Sequence, residues 1–394
     1  MCIINREKIR MVTMSKVNVI LGEERIISMA PVGINDWGPW QFPNIYIGAD
    51  NEFYLSFHNA QDSYSAYGCL PSYYISHDLG KTWEPTKTSG GLCLNDGTMI
   101  KPAVTHSLSI ADIELPEILA NTKNCYVDHG NLYDIDKIKD EYKKWYKWVI
   151  DGDKEYLKEI NVNAPGYLMR ETTGILITPF FYIGYFYRKD KDTIIALSYH
   201  PLQDNMETTS LFNALYFESK DNGESFNLIS SIRYLPPYDK IPDSMKMQGW
   251  LEPTICFLDD NTAMTLLRTT CKEGVRPLYI AYSYDGLKTW TKPEFFDDKG
   301  VFPQAIKLDN GMVLTGYGRT GLYVRAMCDG QWDDRVEVVK PLAFQTDTCS
   351  YCGLVPTGEN SALIVYSRFD IKDDDGNIRK SIICRDITLE KNYM

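Results

Sequence analysis

Glu252 is a carboxylate set between Trp250-Leu251 and Pro253, in an otherwise apolar run. The plain reading is a surface strand carboxylate, but an otherwise apolar strand favours an inward-facing group, which is a candidate for chemistry. Arg268 ends the next apolar run and Arg319 closes KLDNGMVLTGYGR. Both carry a similar pair of readings, a ligand clamp or an ion pair. The stretch HNAQDSYSAYG supplies His58 and Asp62, two groups able to move a proton. Histidine does so because it titrates near neutrality, whereas a lone loop aspartate is also often just a solvated or capping residue. Cys349-x-x-Cys352 is the only close cysteine pair. No second pair or nearby histidine completes a zinc set, and its strand-like surroundings lack the helix of a redox pair. No metal or cofactor is called for.

The elements that must position these groups are written in a repeat. SHDLGKTW at 76–83, SKDNGESF at 219–226 and SYDGLKTW at 283–290 share Ser-x-Asp, a glycine-bearing turn, a hydroxyl residue and an aromatic. Aspartate in a tight turn accepts backbone N–H groups, and glycine permits positive φ. A tyrosine-rich apolar run precedes each copy, so each reads as a β-hairpin whose tip is locked by Asp78, Asp221 or Asp285. The closing aromatics Trp83, Phe226 and Trp290 then pack between neighbouring units, and the three aspartates are structural. A worn fourth copy stands at 328–332, Cys-Asp-Gly-Gln-Trp. Repetition of this kind means a fold built from stacked supersecondary units.

Most of the remaining chain is strands and turns, with Asp-Asn, Asp-Gly and Asn-Gly punctuating apolar runs at 260–261, 285–286 and 310–311. The exception is 134–161, where Ile138, Tyr142, Trp145 and Trp148-Val149 fall near helical spacing among Glu and Lys. The spacing predicts a helical insertion over about 130–163, serving as a docking face or a lid. It also accounts for repeats 143 positions apart and then 64 apart (219 − 76 and 283 − 219).

With 394 residues the chain can bury a large core as one all-β domain. Its 27 Tyr and 8 Trp suit strands and a carbohydrate site, where ring faces meet sugar C–H surfaces. A formal charge of −12 argues against nucleic acid or an anionic membrane as the partner. An acidic substrate stays open, since a local arginine cluster can hold one. The first twenty residues have charges inside every apolar stretch, so they do not read as a secretory signal, and no run is long enough for a membrane span. Ten scattered cysteines read as free thiols in a reducing cytoplasm, with secretion left open if a leader once preceded them.

The repeats resemble the Asp boxes of the sialidase superfamily, whose fold is a six-bladed β-propeller of four-stranded sheets. The likeness covers most of the chain outside the insertion as a single domain over 1–394 and is densest from Trp250 to Ser367. In that family an arginine triad grips a substrate carboxylate, a tyrosine activated by glutamate attacks the anomeric carbon, and a loop aspartate is the acid/base. A phenol avoids the repulsion that a carboxylate nucleophile would meet from an acidic sugar. The resemblance implies Tyr351 as nucleophile, Glu252 as its base and Arg268 and Arg319 as two of the three arginines. Asp62 falls at the acid/base, with His58 as its substitute. Gln41, in Trp40-Gln41-Phe42-Pro43, stands where the first arginine is expected, and Ser367 where that arginine's glutamate partner is expected.

These matches imply an exo-acting glycoside hydrolase for a terminal sugar, acidic or neutral, with Gln41 meeting a hydroxyl or amide. A glycan-binding propeller without catalysis is the alternative. A polysaccharide lyase or other glycosidase on the same fold is another, using His58, Tyr317 or Tyr64. The expected partner is a glycan, and the oligomeric state is left open.

Overall fold

The computed structural model describes residues 17–62, 70–103, 107–122, 130–172, 174–181, 185–203, 211–238, 247–270, 277–342 and 347–392. Among them the chain is all β, with three single-turn 3₁₀ helices and no α-helix. Antiparallel units of four strands follow one another along the chain as the blades of a β-propeller, the second and third joined edge to edge by parallel pairing of 161–163 with 225–227 into one eight-stranded sheet. The first is Gln41–Ile47, Phe53–His58, Pro71–Ser76 and Glu84–Thr86. The second is Leu92–Cys93, Met99–Pro102, Trp145–Asp151 and Lys154–Asn163. The third is Phe186–Arg188, Ile194–His200, Asn213–Ser219 and Ser225–Ile232. A fourth runs Leu251–Phe257, Ala263–Arg268, Leu278–Ser283 and Glu294–Asp297. A fifth runs Val301–Lys307, Val313–Gly318, Leu322–Cys328 and Gln331–Trp332. The last combines Cys352–Gly358, Ser361–Lys372 and Ile378–Lys391 with the amino-terminal strand Val17–Met29 on its outer edge. The pairing of Val17–Met29 with Ile378–Lys391 ties the two ends of the described chain together in one sheet.

The serine–aspartate turns recur with one geometry. In the first, Ser76 Oγ donates to Asp78 and accepts the Gly80 N–H, while Asp78 accepts both the N–H and the hydroxyl of Thr82. Asp221 with Ser219 and Ser225, and Asp285 with Ser283 and Thr289, repeat it. Hydrogen bonds from Thr82 and Thr289 pull the Asp78 and Asp285 carboxyls down to about 2. The closing Trp290 reaches across to the third blade, donating to Ser230 and packing on Tyr216 at 4.5 Å.

The expected helix over 130–163 is overturned. Residues Trp145–Asp151 and Lys154–Asn163 are the outer strands of the second blade. On the inward side stand Trp145, Lys147 and Val149, so a lysine occupies a core position and hides the alternation of a strand. Lys147 is buried because it caps the second serine–aspartate turn, donating to the carbonyls of Asn222 and Gly223 and to Glu224. What is inserted into the blade is instead a small sheet, Ser107–Ser109, Ile175–Ile177, Leu168–Thr172, Gly130–Asp134 and Ala120–Thr122 in spatial order. Three of its strands lie between the second and third strands of that blade and the other two follow the fourth, on the side where inner strands begin and second strands end. The serine–aspartate turns follow third strands and so lie on the opposite side.

Candidate active site

Three inner strands open with the same irregularity. Phe42, Glu252 and Phe302 each precede a proline and each has positive φ (57°, 45° and 45°). The ladders slip at each of them, between Gln41 and Asn44, Leu251 and Thr254, and Val301 and Gln304. Proline has no N–H for the ladder, and a bulge at that point re-aims the preceding side chain. Ser350, also at positive φ (64°), turns Tyr351 the same way ahead of the last blade. Side chains from separate blades thereby converge at the axis. Tyr351 stacks on Phe302 at 4.2 Å and meets Phe42 edge-on at 4.8 Å. Deeper down, Tyr46 and Tyr185 pack at 5.1 Å and belong to one buried cluster with Phe302.

At that convergence the Tyr351 hydroxyl donates to Glu252 Oε1 at 2.6 Å. Arg268 Nη1 lies 2.5 Å from the same oxygen, and the Phe302 N–H donates to Oε2 at 2.8 Å. Burial alone would raise the Glu252 carboxyl. The charge of Arg268 and the hydrogen bonds from Tyr351, Arg268 and Phe302 outweigh it and hold the group below its ordinary value. Burial likewise works against the Arg268 charge, and Glu252 reverses the balance, raising it. Glu252 is thus an ionised base in hydrogen-bond contact with a phenol.

Arg319 lies with its guanidinium 5.2 Å from the Trp37 ring and 5.8 Å from the Tyr351 ring, one Nη donating to the Cys349 carbonyl. Asp62 accepts the Trp37 indole N–H at 3.0 Å, and its own N–H donates to the Trp37 carbonyl. Partial burial raises the Asp62 carboxyl, opposed by the Trp37 hydrogen bond and the Arg319 charge. His58 meets Phe42 at 5.2 Å, and burial pushes it down to about 4, so it is neutral at pH 7. Glu252, Arg268, Arg319 and Tyr351 therefore share one site, with Asp62 joined to it through Trp37.

Gln41 is elsewhere. It is fully buried, and with its carbonyl turned toward Lys380 it accepts from that ammonium at 3.1 Å and from the Gly38 N–H at 3.2 Å. Lys380 also donates to the Asp36 carbonyl and sits 5.0 Å from the Phe369 ring. Ser367 is equally buried and binds Cys349, accepting its N–H and donating to its sulfur. The paired places where an arginine and a glutamate are expected are thus filled by an interior polar cluster. Cys349 and Cys352 are buried free thiols. Tyr317 is buried and donates to Asp297, away from the site, and Tyr64 lies outside the described residues.

Sequence reasoning missed Trp37, which joins Asp62 to Arg319, and the aromatic pair Phe42 and Phe302. A signal was present. Trp40-Gln41-Phe42-Pro43, Trp250-Leu251-Glu252-Pro253 and Gly300-Val301-Phe302-Pro303 are one phrase written three times, marking three bulges that aim at one axis.

No protein-family model and no curated protein matches this sequence. Solved structures do. A Dyadobacter fermentans protein of unknown function aligns over 95% of this chain and 99% of its own, with TM-score 0.60 and 17% identity. The α-L-arabinanase of Penicillium chrysogenum, complexed with arabinobiose, aligns over 93% and 98%, with TM-score 0.50 and 13% identity. The chain has the fold of the propeller glycosidases. The NanB sialidase of Streptococcus pneumoniae also shares it, over 92% of this chain and 70% of that one, with TM-score 0.50 and 14% identity. At such identities the likeness concerns the fold, and chemistry must be argued from the site.

Proposed function

We propose that this protein is an exo-acting glycoside hydrolase that releases a terminal sugar through a tyrosyl–sugar intermediate. The observation that carries the reading is the Tyr351 hydroxyl donating at 2.6 Å to Glu252, a buried carboxylate held ionised beside Arg268. A phenol with an ordinary pKa of about 10 attacks at neutral pH only with such a base at hand. In the first step the Tyr351 oxygen bonds the anomeric carbon and its proton passes to Glu252. Asp62, whose proton is held more firmly than usual, protonates the departing glycosidic oxygen. In the second step Asp62 takes a proton from water as that water attacks the anomeric carbon. The phenol leaves and recovers its proton from Glu252.

Arg268 and Arg319 each keep an Nε with no partner among the described residues, and these donors suit a sugar carboxylate beside the reacting carbon. The sealed Gln41–Lys380 contact favours a second reading, a terminal sugar without a carboxylate, because it withholds a third cation from the site. The two are separated by turnover of 4-methylumbelliferyl N-acetylneuraminide against 4-nitrophenyl α-L-arabinofuranoside within a wider panel of aryl glycosides. Tyr351→Phe is expected to abolish turnover while sugar binding persists, and a fluorosugar trap should label Tyr351. Wild type that binds sugars but cleaves none refutes hydrolysis and leaves a glycan-binding propeller. An unsaturated product absorbing in the near ultraviolet would mark a lyase instead.

A further inference from the structure

Beyond the Glu252–Arg268 pair the same two strands run on to a rim. Leu251 pairs with Arg268, and further on the Gln248 N–H donates to the Thr270 carbonyl at 3.0 Å. Phe212 of the third blade docks onto this extension, its N–H donating to the Gln248 carbonyl and its carbonyl accepting the Trp250 N–H. Phe212 is half-buried and forms a hub. Tyr199 meets it edge-on at 5.4 Å, His200 lies 6.2 Å away, and the Arg170 guanidinium sits 5.5 Å from its ring. Arg170 belongs to the inserted sheet, on Leu168–Thr172. Tyr199 also lies close enough to Arg268 to act on its charge. At about 3.3 Å per strand residue, Thr270 is roughly 7 Å along from Arg268.

This rim gathers buried polar atoms that have no partner among the described residues: Arg170 Nε, His200 Nε2, Gln248 Nε2 and Thr270 Oγ1. His200, Gln248 and Thr270 are each at least nine-tenths buried. Unpaired buried polar groups are costly unless a ligand completes them. Their chemistry selects the ligand. Arg170 and Gln248 offer N–H donors. Burial pushes His200 down to about 3, so it is neutral, and main-chain groups at Tyr199 and Leu168 hydrogen-bond the ring. With one nitrogen engaged as donor, Nε2 is the acceptor. A carboxylate has no hydrogen to give it, whereas a hydroxyl both gives and receives. The half-buried rings of Tyr199 and Phe212 add an apolar surface for C–H groups.

We propose that this rim is a second sugar subsite, in which a neutral, hydroxyl-rich ring next to the terminal sugar is held by Arg170, His200, Gln248 and Thr270 against Tyr199 and Phe212. It rests on the hydrolase reading, since the second ring is what departs when the terminal sugar is released. Discrimination between substrates then comes from the blade rim and the inserted sheet, apart from the reacting centre.

The test compares a disaccharide with the matching glycosyl fluoride, whose leaving atom is too small to reach the rim. Sialyllactose is paired with N-acetylneuraminyl fluoride, and arabinobiose with α-L-arabinofuranosyl fluoride. For the pair that wild type cleaves, Phe212→Ala and Gln248→Ala are expected to lower the ratio of kcat/KM, disaccharide over fluoride, by about tenfold or more. Arg170→Gln, outside the blades, is expected to shift the ratio the same way if the other variants fold poorly. An unchanged ratio in all three overturns the subsite while an inactive Tyr351→Phe still supports the hydrolase. Activity retained by Tyr351→Phe, or no cleavage of these four compounds or of any member of the wider panel of aryl glycosides, overturns the hydrolase reading and the subsite with it.

Discussion

Replacing Glu252 by Gln tests the centre of the site through stability as well as rate. The glutamine carbonyl can keep the Phe302 N–H, 2.8 Å from Oε2. The other oxygen, which accepts from Tyr351 at 2.6 Å and lies 2.5 Å from Arg268, becomes an NH₂ facing two donors. Each hydrogen bond to a charged group contributes about 1.5–3 kcal/mol, and stripping one partner from a buried ion pair costs about 3–5 kcal/mol. Both routes give a loss of about 3–5 kcal/mol for a side chain 3% exposed. At about 2.1 cal/mol/K per residue, 394 residues have an unfolding entropy of about 0.8 kcal/mol/K. Tm should therefore fall by about 4–6 °C in calorimetry, with turnover abolished. Tyr351→Phe, which removes one hydrogen bond to the carboxylate and leaves the ion pair, should fall by about 2–4 °C. Adding Arg268→Met to Glu252→Gln should recover part of the loss, because the uncompensated charge is gone. The effect also has a pH signature. The folded carboxyl titrates below its ordinary 4.5, so its contribution is complete above that pH and is lost as pH falls through the folded value. A Glu252→Gln protein as stable as wild type at pH 7 would refute the reasoning, because the carboxylate would then not be compensating Arg268.

Asp62→Asn should lower kcat/KM by about 10²–10⁴-fold on a poor leaving group and far less on a 4-nitrophenyl glycoside, and should remove the alkaline limb of the pH profile. Since His58 drops to about 4 in the fold, the unfolded chain binds a proton that the folded chain refuses between about pH 6.5 and about 4. Stability should fall as pH falls through that window, and His58→Asn should flatten the slope in urea titrations at stepped pH. Gly80→Ala would place a Cβ 2.4 Å from Leu363 of the last blade at φ +84°, whereas Gly376→Ala at φ +83° meets nothing. The second should cost about 1 kcal/mol of backbone strain and the first about 1–3 kcal/mol more, read from urea midpoints; equal costs would mean the blades do not abut there.

Locally encoded features were legible in the sequence. The serine–aspartate turns need only residues within a few positions of one another, so Ser76, Asp78, Gly80 and Thr82 announce their own hydrogen bonds. Apolar runs between turn residues likewise mark strands, and strands with repeated turns imply a repetitive β fold. An apolar setting around Glu252 implies burial, which is what the structure has. Misreading 134–161 as a helix has a specific cause: Lys147 faces the core to cap a turn some seventy-five positions later, and no local pattern records that partner.

What only the tertiary structure decided are the meetings between distant residues. Tyr351 and Glu252 are 99 positions apart and touch because bulges on separate blades aim them at one axis. Gln41 occupies the expected place in the sequence, yet its pairing with Lys380 seals it inside. The rim formed by Arg170, His200, Phe212 and Gln248 draws on two blades and an inserted sheet, and nothing in any one segment foretells it. A turn is fixed by torsions and bonds within a few residues. A site at a propeller axis depends on how whole sheets pack, and that packing balances contacts spread over the entire chain.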